Sequence, residues 1–168
     1  MKIERIWAMP NRWTFTIKPI KELLKNEIKD NELWVDPFAG KNSPASITND
    51  INPEMPANHH LEALNFLKQL ESNRFCGVLF DPPYSPTQAK RCYNALKLKL
   101  RPDQTRKEYW ARCLDEVARI LKPKGKLISF GWNSNGAGKC RGFEKEKILL
   151  VAHGGGRNDT IVTIEIKI

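Results

Sequence analysis

Apolar residues along this chain recur with two periods. Short unbroken runs at Leu33-Trp34-Val35, Gly77-Val78-Leu79-Phe80 and Lys126-Leu127-Ile128-Ser129-Phe130, with a weaker one at Ser46-Ile47-Thr48-Asn49-Asp50, predict strands. Between them the spacing becomes helical. Ile20, Leu23, Leu24 and Ile28 follow Pro19, a residue suited to the first turn of a helix, and predict a helix to about Lys29. Leu61, Leu64, Leu67 and Leu70 predict a second helix, opened by Pro56. Tyr109, Cys113, Leu114, Val117, Ile120 and Leu121 predict a third, opened by the capping box Thr105-Arg106-Lys107-Glu108 and stopped by Lys122-Pro123-Lys124-Gly125. Residues 147–152 and 160–166 read as two strands joined by a glycine-rich hairpin loop over 154–159. Strands alternating with helices predict a mostly parallel sheet covered on both faces, with an antiparallel hairpin at the end. Residues 1–18 are mixed polar and aromatic, and within them 11–18 read as a strand or loop that packs Trp13 and Phe15 on the core.

The chemistry gathers where strands end. Phe80-Asp81-Pro82-Pro83-Tyr84-Ser85-Pro86 closes an apolar run, and its prolines offer no N–H, so Asp81 and the Pro82 carbonyl are two acceptors with no donor between them. Two convergent acceptors suit an exocyclic NH2 group, which has two hydrogens to give, and Tyr84 adds a ring able to stack on a planar base. The same residues also read as a proline-rich turn capped by Asp81. At the end of the first strand, Asp36-Pro37-Phe38-Ala39-Gly40 forms a turn whose glycine allows close approach of a ligand. The second strand ends at Asp50, which reads equally as a turn aspartate. The loop 131–138 follows the strand 126–130 and makes Trp132 and Asn133 candidates for the substrate pocket.

Composition narrows the partner. The 168 residues suffice for one domain, residues 1–168, with a real core. Lys and Arg number 28 against 19 Asp and Glu, and a formal charge of +9 favours an anionic polymer or surface. Lys90, Arg91, Lys97, Lys99, Arg101, Arg106 and Lys107 follow the proline motif and suit phosphate contacts or a solvated helical face. The cysteines at 76, 92, 113 and 140 lie too far apart for a zinc site or a disulfide frame, and the adjacent His59 and His60 point apart on a helix, so no metal is expected. No run has the length of a signal peptide core or a membrane span, and a soluble cytoplasmic protein without a membrane partner is expected.

Asp81-Pro82-Pro83-Tyr84 resembles the catalytic motif of the amino-group DNA methyltransferases, which use S-adenosylmethionine to methylate N6 of adenine or N4 of cytosine. Leu33-Trp34-Val35-Asp36-Pro37-Phe38-Ala39-Gly40 is similar to that family's cofactor motif, and Thr48-Asn49-Asp50-Ile51-Asn52 supplies a third match in the same order. The resemblance covers about residues 11 to 138. It implies a Rossmann-like α/β class I methyltransferase sheet, ordered second, first, fourth, fifth, seventh, sixth strand, with the third missing or vestigial because residues 52–75 hold only one helix.

The resemblance further implies that Asp81, Pro82, Pro83 and Tyr84 are catalytic, that Thr16, Lys18, Asp36, Pro37, Phe38, Gly40, Asp50, Asn52 and Asp81 meet S-adenosylmethionine, and that Tyr84, Lys90, Arg91, Trp132 and Asn133 meet substrate. Asp50 would take the ribose hydroxyls. The family usually carries a second glycine where this chain has Asn42, a residue able to adopt the left-handed conformation. The implied reaction is N6 methylation of adenine in DNA, since cytosine-N4 members mostly carry serine in place of Asp81. Methylation of an RNA base or a protein glutamine, and non-catalytic nucleic-acid binding on the same fold, are the alternatives. No separate target-recognition segment is present, so relaxed sequence choice and ready acceptance of single strands are expected, unless a homodimer or accessory subunit supplies that surface.

Overall fold

The computed structural model describes residues 1–83, 85–100 and 102–168, without the side chains of Pro86, Asp103, Thr105 and Lys107. Tyr84, expected to stack on substrate, and Arg101 of the basic stretch lie outside the described residues. In chain order the elements are β1 (Lys2–Trp7), α1 (Lys18–Glu27), β2 (Trp34–Asp36), β3 (Ile47–Thr48), α2 (Ala63–Gln69), β4 (Phe75–Phe80), α3 (Pro86–Ala95), α4 (Lys107–Ile120), β5 (Leu121–Gly131), β6 (Phe143–Ala152) and β7 (Thr160–Lys167).

The strands form one sheet in the order β1-β6-β7-β5-β4-β2-β3. From β3 to β6 this is the expected order. Only β7 runs antiparallel to its neighbours, β5 and β6. The third strand survives as a single parallel bridge between Asn49 and His59 on the outer side of β3.

Alternation along the central strands builds two cores. Val35, Val78, Phe80 and Leu127 face α2 and α4, meeting Leu64, Phe66, Leu67, Tyr109, Cys113, Val117 and Ile120. Trp34, Leu79, Ile128 and Phe130 face the other way and meet Ile20, Leu23 and Leu24 of α1. A Cβ at Gly77 would overlap the ring of Trp34, so the close crossing of β2 and β4 requires glycine there.

Several boundaries differ from the sequence reading. Residues 2–7 form a seventh strand, parallel to β6, where no element was expected. Its side chains are almost all exposed, so no apolar alternation announces it, and backbone pairing with β6 supplies its order. The helix expected behind Pro56 starts instead at Ala63, because the Glu62 carboxylate accepts from the Leu64 and Asn65 amides. Arg106, one residue past Thr105, occupies the cap position of α4, which displaces the expected capping box. The helix α4 ends at Ile120, just before residues 122–125, and these already lie in β5, with Lys124 at φ +66° and a register shift against β4 between Phe75 and Gly77. The basic stretch contains a helix, α3, opened by Ser85, whose hydroxyl accepts from the Gln88 amide.

Candidate active site

The parallel strands β2, β3, β4 and β5 all end at the same edge of the sheet, and that shared direction gathers the candidate residues. Asp36 is the last residue of β2 and is completely buried. One carboxylate oxygen accepts from the Phe38 amide at 2.9 Å, the other from the Ser43 hydroxyl at 2.6 Å, and together they close the turn that leaves the strand. Burial pushes its carboxyl up to about 7. The hydrogen bonds from Ser43 and Phe38 oppose the shift, and the carboxylates of Asp81 and Asp50 reinforce it.

Asp50 stands two residues beyond β3 and ties that turn to the neighbouring strand. Its oxygens accept from the Gly40 amide at 2.9 Å and the Asn52 amide at 2.8 Å. Each oxygen keeps a second lone pair, and the half-buried side chain lines the cleft, so acceptor capacity for a ligand remains. Gly40 has φ +55°, and the Trp13 ring lies 3.2 Å from the place a Cβ would take. Asn42 is not among the residues of positive φ; the loop is held by the Ser43 to Asp36 bond and does not use a left-handed residue at that place.

Asn49 received no role from the sequence beyond its place in a motif. It is fully buried and joins three segments: its amide nitrogen donates to the carbonyls of Pro37 and Leu61, and its oxygen accepts from the Leu61 amide. A polar residue immediately before a strand-end aspartate was the available signal.

Asp81, the first residue after β4, borders the cleft with Pro82 and Pro83. Phe38 packs edge-on against Phe80 at 5.4 Å between ring centres and lies 6.0 Å from Trp110, which joins the two strand tips through aromatic contacts. The cleft measures about 870 Å³. Pro37, Phe38, Gly40, Asp50, Asn52 and Trp132 also line it, so most of the expected residues come together.

Others do not. Asp36 lies beneath the cleft wall and acts by holding the turn. Thr16 and Lys18 are exposed and outside the cleft, and the Thr16 hydroxyl donates to the Trp13 carbonyl. The same segment instead contributes Asn11, Arg12, Trp13 and Thr14. Lys90 and Arg91 lie on α3 facing away from the cleft lining, which that helix supplies through Gln88, Ala89, Cys92 and Tyr93. Asn133 is exposed and accepts from the Asn135 amide, closing its own turn. The turn between β6 and β7 borders the cleft with Arg157 and Asn158, which sequence reasoning missed because only the antiparallel insertion of β7 beside β5 brings it there.

Among the described residues no cluster of three potential metal ligands occurs, and no helix is long and apolar enough to cross a membrane. No family model matches the sequence, and no curated protein does. Solved structures do resemble it. The 1,6-didemethyltoxoflavin-N1-methyltransferase of Burkholderia thailandensis, with bound 1,6-didemethyltoxoflavin and S-adenosylhomocysteine, aligns over 89% of this chain and 77% of its own, at 13% identity and a TM-score of 0.59. TrmN from Thermus thermophilus aligns over 90% of this chain at 14% identity and a TM-score of 0.57, and the chain spans 49% of its length. A putative methyltransferase from Streptococcus mutans in complex with S-adenosylhomocysteine aligns over 86% and 93% of the two chains, at 12% identity and a TM-score of 0.52. With its sheet order and its strand-end cleft, the chain has the Rossmann-like methyltransferase fold.

Proposed function

We propose that this protein transfers a methyl group from S-adenosylmethionine to the N6 amine of adenine in DNA. One observation carries the reading: the Asp81-Pro82-Pro83 tip of β4 opens into the same cleft as Asp50 and the Gly40 turn. Two structural neighbours hold S-adenosylhomocysteine, the demethylated form of that cofactor, which supports the choice of donor.

The residues present fit such a cofactor. Asp50 retains acceptor capacity for two ribose hydroxyls, the Gly40 backbone is bare beside Trp13, and Phe38, Ile51 and Met55 offer apolar contact to a ring. When bound, the sulfonium supplies an electrophilic methyl group and departs as a neutral thioether.

The adenine amine is a weak nucleophile because its lone pair is conjugated with the ring. Asp81 and the Pro82 carbonyl accept the two amine hydrogens and turn the lone pair out of conjugation, toward the methyl group. As nitrogen gains the methyl it becomes positive, and these acceptors stabilise that charge before one of its protons is released through Asp81 to water. No covalent enzyme intermediate is required. A duplex base must first leave its stack, at a cost of a few kcal/mol, and Tyr84, the motif's stacking residue, offsets part of it.

Incubating the purified chain with methyl-labelled cofactor and, separately, single-stranded DNA, duplex DNA, RNA and a glutamine-containing peptide tests the proposal. Label recovered as N6-methyladenine in DNA is expected. Label confined to RNA or peptide reassigns the substrate, and cofactor binding by calorimetry without any transfer makes the chain a binding protein.

A further inference from the structure

The cleft does not end at the catalytic tip. Because β5 and β6 run parallel to β4 and β1 runs parallel to β6, the carboxyl ends of all four lie on one edge of the sheet. Trp132 follows the end of β5 and is 46% exposed, and Trp7 ends β1 and is 63% exposed. Between them stands the β6–β7 turn with Arg157, and Arg12 follows Trp7 on the way back to the cleft. With β7 and β6 intervening, the two tryptophans are three strand spacings apart, about 14 Å, and Asp81 lies one spacing beyond Trp132.

This rim is a built structure. Trp7 pairs with Ala152 in the register of β1 with β6, and its indole nitrogen approaches to 3.4 Å from the place a Cβ on Gly154 would take. The buried His153 clasps the two segments together. Its Nδ1 donates to the Ala8 carbonyl at 2.8 Å, since a carbonyl can only accept, and its Nε2 shares a hydrogen bond with the Thr160 hydroxyl at 2.9 Å. Asp159, the one carboxylate of residues 153–160, accepts from the His153 amide. A tryptophan left 63% exposed at the end of a firmly paired strand contributes little to the core.

We propose that this rim is a track for single-stranded nucleic acid, with bases stacking on Trp132 and Trp7 and phosphates meeting Arg157 and Arg12, leading one base to Asp81. The inference rests on the nucleobase reading of the substrate and adds the path by which the strand arrives. Charge complementarity selects the occupant: two exposed tryptophans share one sheet edge with two arginines of the cleft lining on a protein of net charge +9. Aromatic platforms beside a positive groove are how single strands are held without sequence choice. A duplex keeps its base faces covered and cannot use the tryptophans.

Fluorescence anisotropy with a labelled single-stranded oligonucleotide of about a dozen bases, within the site sizes of single-strand binders, tests the track without cofactor or turnover. Trp7→Ala is expected to weaken binding about tenfold and Trp7→Phe to restore most of it, with cofactor binding by calorimetry unchanged in both. Arg157→Ala is expected to lower the slope of log affinity against log salt by about one. Deoxy and ribo forms of one sequence should respond alike, since stacking and phosphates are common to both. Equal affinity of wild type and Trp7→Ala overturns the track, as does an equal loss on duplex. If the labelled transfer assay succeeds while these variants bind normally, the track alone fails. A wild-type chain that binds no oligonucleotide removes the track and the nucleic-acid substrate together.

Discussion

The two walls of the cleft are made differently. On the wall formed by β2 and β3, Asp36, Asn49 and Asp50 each hold at least two partners, mostly backbone groups of adjoining turns, at 2.6 to 3.1 Å. On the wall formed by the β4 tip, α3 and Trp132, side chains are half-buried or exposed, and Ala89 is the only buried one described on α3. The first wall is preorganised for a ligand of fixed shape. The second keeps an open face, which the proposed nucleic-acid substrate would use. A bound cofactor with an incoming polymer needs both constructions side by side.

Removing the acceptor on the open wall should produce the largest effect. Asp81→Ala is expected to reduce methyl transfer by at least about a thousandfold while cofactor affinity stays within about tenfold, because the amine contacts matter most in the transition state. Steady-state rates with calorimetry on the same sample check this. Turnover within about tenfold of wild type would take Asp81 out of the mechanism and erase the functional difference between the walls.

The preorganised wall carries its own cost, held in Asp36. Its folded pKa of about 7 lies above the ordinary 3.8, so the folded chain keeps a proton that the unfolded chain has lost. Stability from this group is therefore full below about pH 4 and declines as pH rises toward 7, by about 2 kcal/mol between about pH 5 and 7. Glu4 works in the opposite sense and a different window. Lys147, then Lys2, hold it down to about 2, so its contribution is present above its ordinary 4.5 and lost only in acid. Urea unfolding across pH should show the decline in the wild type and its loss in Asp36→Asn. A wild-type curve flat from about pH 5 to 7 would mean that Asp36 ionises normally.

The two walls were also unequally legible. The tips of β2 and β4 were readable because short apolar runs ending in Asp-Pro are local signals; a mostly parallel sheet with an antiparallel end followed from alternation plus the closing hairpin, whereas the strand order was implied by the family resemblance. Asn49 was not assigned because its partners Pro37 and Leu61 are 12 residues away in either direction. Strand β1 was missed because a strand at the sheet edge with exposed side chains needs no apolar pattern, only the free backbone edge of β6. Thr16 and Lys18 stand outside the cleft lining for a related reason. The one-turn helix over Thr14–Thr16 buries Phe15 against Phe130, at 5.1 Å between rings, and that packing turns Thr16 outward and directs Trp13 toward Gly40.

A smaller loss should follow from loosening the first wall at Asp50. Asp50→Ala removes the acceptor for the Gly40 and Asn52 amides along with the ribose contact, and cofactor affinity is expected to fall about tenfold to a hundredfold. Asp50→Asn separates these roles. Its carbonyl oxygen can still serve Asn52, whereas its NH2 cannot accept from Gly40, so an intermediate loss assigns part of the effect to the loop anchor. Cofactor affinity unchanged in Asp50→Ala would sink the ribose assignment.

The smallest effect belongs to the outer face of α3, where Lys90 and Arg91 stand exposed and outside the cleft lining. On the proposed reading, charges placed there would meet phosphates and not base edges, and a phosphate contact carries no sequence information. Reading several base pairs in the major groove takes a helix or ribbon delivered with its own support. Among the described residues after β5, the regular elements are one helical turn at Lys139–Arg141 and the strands β6 and β7, which complete the sheet. Lys90→Ala and Arg91→Ala are therefore each expected to weaken DNA binding only a few-fold at moderate salt, to lower the salt slope by about one, and to leave the methylated sequence context unchanged. Mapping methylated adenines on random-sequence DNA with wild type and both variants checks this. A unique site of several base pairs from the monomeric chain, or a context that shifts when Lys90 or Arg91 is lost, would turn the open wall from a phosphate grip into a reader of sequence.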